Sequence, residues 1–328
     1  MERRFIRGIV MNFGNDGIQV YLAGEVHGVI QNAEIKFQIF EYLLSNYGVK
    51  KLLVEMGYYD SLAISAYLEN GKEDILKSVL GKYSTNYLNT EEEYNFWRRM
   101  YKLNNKLQEE QKIKVVGVDC NGQIDVLYRY ILYLLESQKE SLILSEKVME
   151  YKNTLKSGRI REAEVLSSEL DCLLHNFIYS ASQDEIVLKK LFKQMLAYGK
   201  RIMYPEKKRE LREEFIYNSI KEELEKGEIM FGQFGYSHVI SIYANILSAA
   251  DRVVQDIDSA CRKLVYVYKN CKYFIVRDGD KQYIDLNSKI SLFNRDESCI
   301  EKKNDKWGIV EEAGIYYILI DNINHIFI

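Results

Sequence analysis

Gly17-Ile18-Gln19-Val20-Tyr21-Leu22-Ala23-Gly24, the segment from Asn32 to Tyr47, and Lys51-Leu52-Leu53-Val54-Glu55 follow one another in the chain and decide its fold class. The first piece is a short β-type run ending in glycine, which reads as a buried strand. In the second, Ile35, Ile39 and Leu43, flanked by Phe40 and Leu44, recur at helical spacing, and Gly48 stands where a C-terminal cap belongs. The third piece is again an apolar strand. A strand, a helix of roughly 15 residues and a second strand with short joints form a βαβ unit, whose strands are parallel and whose crossover is right-handed.

Working outward, Asp60 is placed to cap a helix running through Leu68, and Gly71 breaks it. Thr90-Glu91-Glu92-Glu93 fits a capping box opening an amphipathic helix toward Gln111, and Lys114-Val115-Val116-Gly117-Val118-Asp119 supplies a third strand. From about Gln123 to Lys226 the pattern is almost wholly helical, with Leu127, Tyr130, Ile131, Leu134 and Leu135 in one stripe. Residues 140–205 within it read as a helical insertion or cap. Glu228-Ile229-Met230-Phe231-Gly232-Gln233-Phe234 returns the chain to the sheet, Tyr236 to Ala250 reads as helix, and short β-type runs follow at Lys263–Lys269, Tyr273–Val276 and Ile315–Ile320. The expectation is an α/β fold: a mainly parallel central sheet flanked by helices, with a helical insertion and a β-rich C-terminal part. With a single proline, Pro205, and no Gly/Ser linker, residues 1–328 read as one catalytic domain.

Composition narrows the function classes. Lys and Arg number 45 against 48 Asp and Glu, a net charge of −3 without a basic stripe, which argues against a nucleic-acid partner. Cys120, Cys172, Cys261, Cys271 and Cys299 are odd in number, widely spaced and without a CxxC pair, so neither a disulfide framework nor a zinc ribbon is expected. The charged start Met1-Glu2-Arg3-Arg4 lacks a secretory apolar core, and no segment reads as a membrane span. A cytoplasmic location without membrane association is the expectation. Oligomeric state leaves no mark in the sequence.

Four apolar runs end in acidic or histidine residues, at Gly24-Glu25-Val26-His27-Gly28, Val54-Glu55, Val118-Asp119 and Gly235-Tyr236-Ser237-His238. In an open parallel sheet the strand carboxyl ends line one edge, where distant residues can share a polar pocket. Glu25 and His27 either share a face of a continuing strand or bracket a bend made possible by Gly24 and Gly28. Such a pair can act as a general base with its orienting acid, as two metal ligands, or as a hydrogen-bonded cap of the next helix. Glu55 and Asp119 read equally as pocket carboxylates or as exposed loop acids, since an unpaired buried carboxylate is costly. His238 reads as catalytic or structural, whereas His175 and His325 read as structural.

Leu22-Ala23-Gly24-Glu25-Val26-His27-Gly28, Leu53-Val54-Glu55, Arg212-Glu213 and Gly232-Gln233-Phe234-Gly235-Tyr236-Ser237-His238 together resemble the erythromycin esterase-like family and its relatives in the same α/β hydrolytic superfamily. The resemblance covers about residues 17–120 and 200–250. It implies a hydrolase in which His27 activates water, Glu25 and Glu55 orient it or bind a metal, Arg212 stabilises negative charge and His238 completes the pocket. Asp119 and Ser219 are then expected to bind substrate. Ser219, beside Asn218, stands where the family usually carries asparagine, and nothing in the helical segment indicates a macrolide pocket.

The chemistry supports hydrolysis independently. A neutral imidazole can take a proton from water while a neighbouring carboxylate fixes its tautomer. An arginine can bind a developing oxyanion, and no Gly-x-Ser-x-Gly elbow is present. Two routes stay open: one without cofactor, and one in which zinc or manganese bound by Glu25, His27, Glu55 and His238 lowers the pKa of water. The expected substrate is a small molecule or a peptide carrying an ester or lactone. A catalytically silent module binding a small ligand or peptide in the same cleft is the alternative, and an effector acting on another protein is a third reading.

Overall fold

The computed structural model describes residues 17–81, 88–121, 124–136, 142–177, 183–243, 245–257, 260–269, 272–277, 280–285, 309–312 and 315–321. Among these residues the strands are β1 (Val20–Glu25), β2 (Lys51–Gly57), β3 (Lys114–Asp119), β4 (Met230–Gly235), β5 (Cys261–Lys269), β6 (Lys272–Arg277), β7 (Asp280–Asp285), β8 (Ile309–Glu312) and β9 (Ile315–Asp321). The helices are α1 (Asn32–Tyr47), α2 (Tyr58–Asn70), α3 (Glu73–Leu80), α4 (Glu91–Asn104), α5 (Ile124–Glu136), α6 (Leu142–Lys156), α7 (Ile160–Phe177), α8 (Gln183–Met203), α9 (Lys208–Leu224) and α10 (Ala249–Ile257). The main sheet runs in the order β3-β2-β4-β1-β5-β9-β8, and β6 and β7 form a separate antiparallel pair. Five neighbouring strands, β2, β4, β1, β5 and β9, are mutually parallel, and β8 closes the edge antiparallel to β9. This is the expected α/β architecture with a mainly parallel sheet.

By its contacts the chain forms two compact units, one of Met1–Val54, Ala63–Val115 and Ile220–Ile328, the other of Glu55–Leu62 and Val116–Ser219. In the first unit all six β1 residues are buried, as a strand covered on both faces requires. Helix α1 lays Ile35, Ile39, Phe40 and Leu43 into this core, each worth about 1.5–3 kcal/mol when fully buried. Phe40 meets Phe231 of β4 at 6.5 Å between ring centres. Gly48 ends α1 at φ 70°, with its N–H bonded to the Leu43 carbonyl. On the far side α1 meets α4, where buried Lys36 donates to both carboxylate oxygens of Glu93 at 2.9 and 3.0 Å. In the second unit α5 to α8 bury a separate apolar core that includes Leu127, Ile131, Leu135, Leu170, Leu191 and Phe192.

Several boundaries depart from the sequence reading, each for a local reason. Thr90 caps α4 by accepting from the Glu93 N–H, but the helix stops at Asn104 rather than near Gln111. Asn104 is buried, and its side chain accepts from Ile113 N–H and donates to the Leu68 carbonyl, turning the chain back toward β3. Asp60 does not precede α2 as the N-cap residue. It lies buried inside the first turn of a helix that begins at Tyr58. Tyr236 to Ala250 is not one helix: a 3-10 turn at Tyr236–His238 is followed by irregular chain before α10. There Asp251 accepts from the Ser241 N–H and from the hydroxyls of Ser241 and Ser248, while Ser241 Oγ accepts from Ser248 N–H. Such side-chain bonds satisfy the backbone locally and compete with a continuous helix. His325 lies outside the described residues, and so does the side chain of His175 on α7.

Candidate functional site

Glu25 is the last residue of β1, and the chain bends immediately after it. The bend is held by a closed ring of three hydrogen bonds: Val26 N–H donates to the Tyr268 hydroxyl at 3.1 Å, that hydroxyl donates to Asn32 Oδ1 at 2.7 Å, and Asn32 Nδ2 donates to the Val26 carbonyl at 2.8 Å. Gly28 then takes φ 90°, in the left-handed region that favours glycine. The Gly24-to-Gly28 segment is therefore a bend rather than a continued strand, and it turns His27 back toward Glu25. His27 Nδ1 lies 2.9 Å from Glu25 Oε1, with the histidine side chain 34% exposed and the glutamate 8%. A carboxylate is an acceptor, so the contact fits the tautomer with hydrogen on Nδ1 and the lone pair on Nε2.

Side chains two apart on a strand share a face, so Ala23 and Glu25 of β1 line up with Gln233 and Gly235 of β4. Gly235 stands opposite Glu25, and the imidazole occupies the space where a side chain would be: a Cβ at Gly235 would come within 2.6 Å of His27 Nε2. Gly235→Ala is expected to push the ring off its seat. The ring's contact with Glu25 should be lost while the far-ultraviolet circular dichroism is kept, which a histidine nitrogen-15 spectrum of the variant reads. Gln233, buried within an otherwise apolar strand, donates through Nε2 to Glu25 Oε2, and its Oε1 accepts from the Tyr266 hydroxyl at 2.9 Å. Burial first, and then the Glu25 charge, raise the Tyr266 pKa well above its ordinary value, which keeps the hydroxyl a donor. Glu25, Gly28, Val29, Asn32, Thr90, Glu92 and Glu93 line a small recess beside this pair. His238 is buried on the turn after β4, a turn whose Tyr236 and Val239 pack against Gly24.

The second unit gathers a different set. Glu55, Asp119 and Arg212 form one ion cluster: Arg212 Nη2 donates to Glu55 Oε1 and to Asp119 Oδ2, both at 2.6 Å, and Nε lies 3.1 Å from Asp119 Oδ1. Asp119 is fully buried, and its Oδ1 also accepts from Asn121 N–H at 3.1 Å. Burial works against the Arg212 charge, but Asp119 and Glu55 outweigh it and raise its pKa above the usual guanidinium value. Glu55 and Asp119 are thus buried, paired carboxylates rather than exposed loop acids. Neighbouring Cys120 has its thiol pushed up to about 12 by burial and then by the Asp119 charge, which keeps it protonated and poorly nucleophilic near neutrality. Arg201, buried nearby, donates to Asn121 Oδ1 and to the Lys208 carbonyl. Ser219 lies two turns beyond Arg212 on α9 and is not among the partners that hold this cluster together.

Among the described residues, no three His, Cys, Asp or Glu side chains are grouped as ligands for one metal ion. Sequence reading gives no role to Gln233 and Gly235, which it quotes only within the β4 motif, nor to Tyr266 and Arg201. The one available signal was Gln233, a polar residue inside Met230-Phe231-Gly232-Gln233-Phe234, since a buried amide requires partners. No helix among the described residues is long and apolar enough to cross a membrane.

No family model matches the sequence, and no curated protein matches it either. Solved structures do match. A protein from Bacillus cereus superposes with a TM-score of 0.70 at 16% identity, over 86% of this chain and 73% of its own. A succinoglycan biosynthesis protein gives 0.68 at 13% identity, over 88% and 77%. A mutant of the erythromycin esterase EreC in its open conformation gives 0.66 at 9% identity, over 84% and 78%. At these identities the likeness establishes a shared fold: the chain has the architecture seen in an erythromycin esterase and in these two further proteins.

Proposed function

We propose that this chain is a hydrolase of the erythromycin esterase-like type, cleaving a small-molecule ester or lactone with water activated at His27. The observation that carries the reading is the Glu25–His27 pair at the carboxyl end of β1. Glu25 accepts from Nδ1 and orients the ring, and Nε2 takes a proton from water as that water attacks the acyl carbon. The carboxylate stabilises the imidazolium that forms, and the same imidazolium then returns its proton to the leaving alkoxide. The fold shared with an erythromycin esterase supports this assignment, as do the motif residues of the β1 and β4 ends.

Among the described residues no three His, Cys, Asp or Glu side chains are grouped as a ligand set, and the Glu25–His27 pair can activate water by itself, so we propose the metal-free route. The charge of Arg212 is already answered by Asp119 and Glu55, so we assign that cluster to holding β2, β3 and α9 in place.

The test is a panel of simple esters, lactones and peptide amides offered to the purified chain before and after treatment with a chelator. Turnover of an ester or lactone that survives chelation is the expected result. Saturable binding of a panel compound without any turnover would overturn it in favour of a binding module. Activity lost on chelation and restored by zinc or manganese would replace the metal-free route with the metal-assisted one.

A further inference from the structure

We propose that Gln233 and Tyr266 are positioning residues, a two-member relay that pins the Glu25 carboxylate and thereby fixes the His27 imidazole with its hydrogen on Nδ1. The inference rests on the hydrolase reading only for its kinetic consequence, since the relay itself is a property of the fold.

The direction of every bond in the relay follows from donor and acceptor chemistry. Tyr266, fully buried on β5, donates its hydroxyl to Gln233 Oε1 at 2.9 Å. That bond sets the amide of Gln233, so its NH2 end faces Glu25 and donates to Oε2. With Oε2 held in this way, Oε1 is the oxygen that meets His27 Nδ1 at 2.9 Å. A flipped amide would set its carbonyl oxygen against the carboxylate, and a flipped tautomer would set the Nδ1 lone pair against Oε1. Both alternatives place like partial charges in contact in a site of low dielectric, where such errors are expensive.

The three strands enforce the geometry. Their order is β4-β1-β5, with Gln233 opposite Ala23 and Tyr266 one residue beyond Val265, the partner of Gly24. Alternation therefore brings Gln233, Glu25 and Tyr266 to one face of three adjacent strands, a rigid support that a loop would not provide. Tyr266, Gln233 and Glu25 are at most 8% exposed, so water does not replace a lost partner readily.

The test uses Tyr266→Phe and Gln233→Leu in the whole chain labelled with nitrogen-15 in histidine, with the His27 signals assigned by their loss in His27→Ala. At a pH where His27 is neutral, the wild type should show one tautomer, with Nδ1 protonated and Nε2 bare. Both variants should show a mixture of tautomers. On an ester that the wild type cleaves, kcat should fall about tenfold, the size expected for one lost buried hydrogen bond, while KM stays unchanged. Because Tyr266→Phe removes a single oxygen, it decides the matter even if Gln233→Leu fails to fold. An unchanged Nδ1–H tautomer in Tyr266→Phe would overturn the relay. If the wild type cleaves nothing yet the tautomer shifts in the variants, the relay stands and the hydrolase reading falls.

Discussion

His27→Ala should lower turnover by about 10²–10⁴, the usual contribution of a positioned general base, while leaving the unfolding midpoint close to that of the wild type. The imidazole lies beyond the strand end, after the Glu25 carboxylate that terminates β1, and a third of its side chain is exposed. Its removal creates no cavity in the apolar core formed by β1, α1 and β4. The substitution removes the bond to Glu25, whose other oxygen remains held by Gln233. The measurement is kcat on the best panel substrate, paired with circular dichroism and a thermal scan of the same preparation.

Arg212→Met should give the opposite signature, a loss of stability of about 3–5 kcal/mol, the penalty typical of removing one partner from a buried charge cluster. Methionine keeps much of the aliphatic stem but takes away the cation that Asp119 and Glu55 share at 2.6 Å. Asp119 is 1% exposed, so its carboxylate has no ready access to water once the guanidinium is gone. Urea unfolding followed by tyrosine fluorescence reads the effect, and a midpoint unchanged from the wild type would show that the cluster is not structural. The two substitutions thus separate a residue proposed to act on substrate from one proposed to act on the fold.

Much of the fold could be read in the sequence because its signals are local and strong. The β1–α1–β2 unit stands where the apolar spacing and Gly48 put it, and Asn32–Tyr47 agrees in both bounds. Thr90 caps α4 as its spacing with Glu93 suggests, yet the Glu93 carboxylate does not close the box. It is drawn instead into a buried pair with Lys36 of α1, a contact between residues 57 apart that no local pattern announces. The loop after His238 departs from the expected helix in the same way, since Ser241 and Ser248 carry no local signal against a helix and only their hydrogen bonds with each other and with Asp251 undo it.

At the site, the Glu25–His27 pair could be read because both residues come from one short segment with glycines on either side. Glu55, Asp119 and Arg212 were recognised as charged residues of interest, but their partners were not. An arginine expected to face a developing oxyanion already carries two carboxylates. The roles of Gln233 and Tyr266 are not legible locally because they depend on strand order: β4 and β5 flank β1 in space while lying more than 200 residues away in sequence. Parallel sheets hide such neighbours, since every adjacent strand is reached through a crossover.

The most direct measurement is the initial rate of ester or lactone hydrolysis by the wild type and by His27→Ala, side by side on one substrate, each with and without added imidazole. The expected result is a fast wild type indifferent to imidazole and a slow variant that imidazole accelerates with saturation, as a base returned to its vacated seat. A variant as fast as the wild type would contradict the assignment of His27 as the group that activates water.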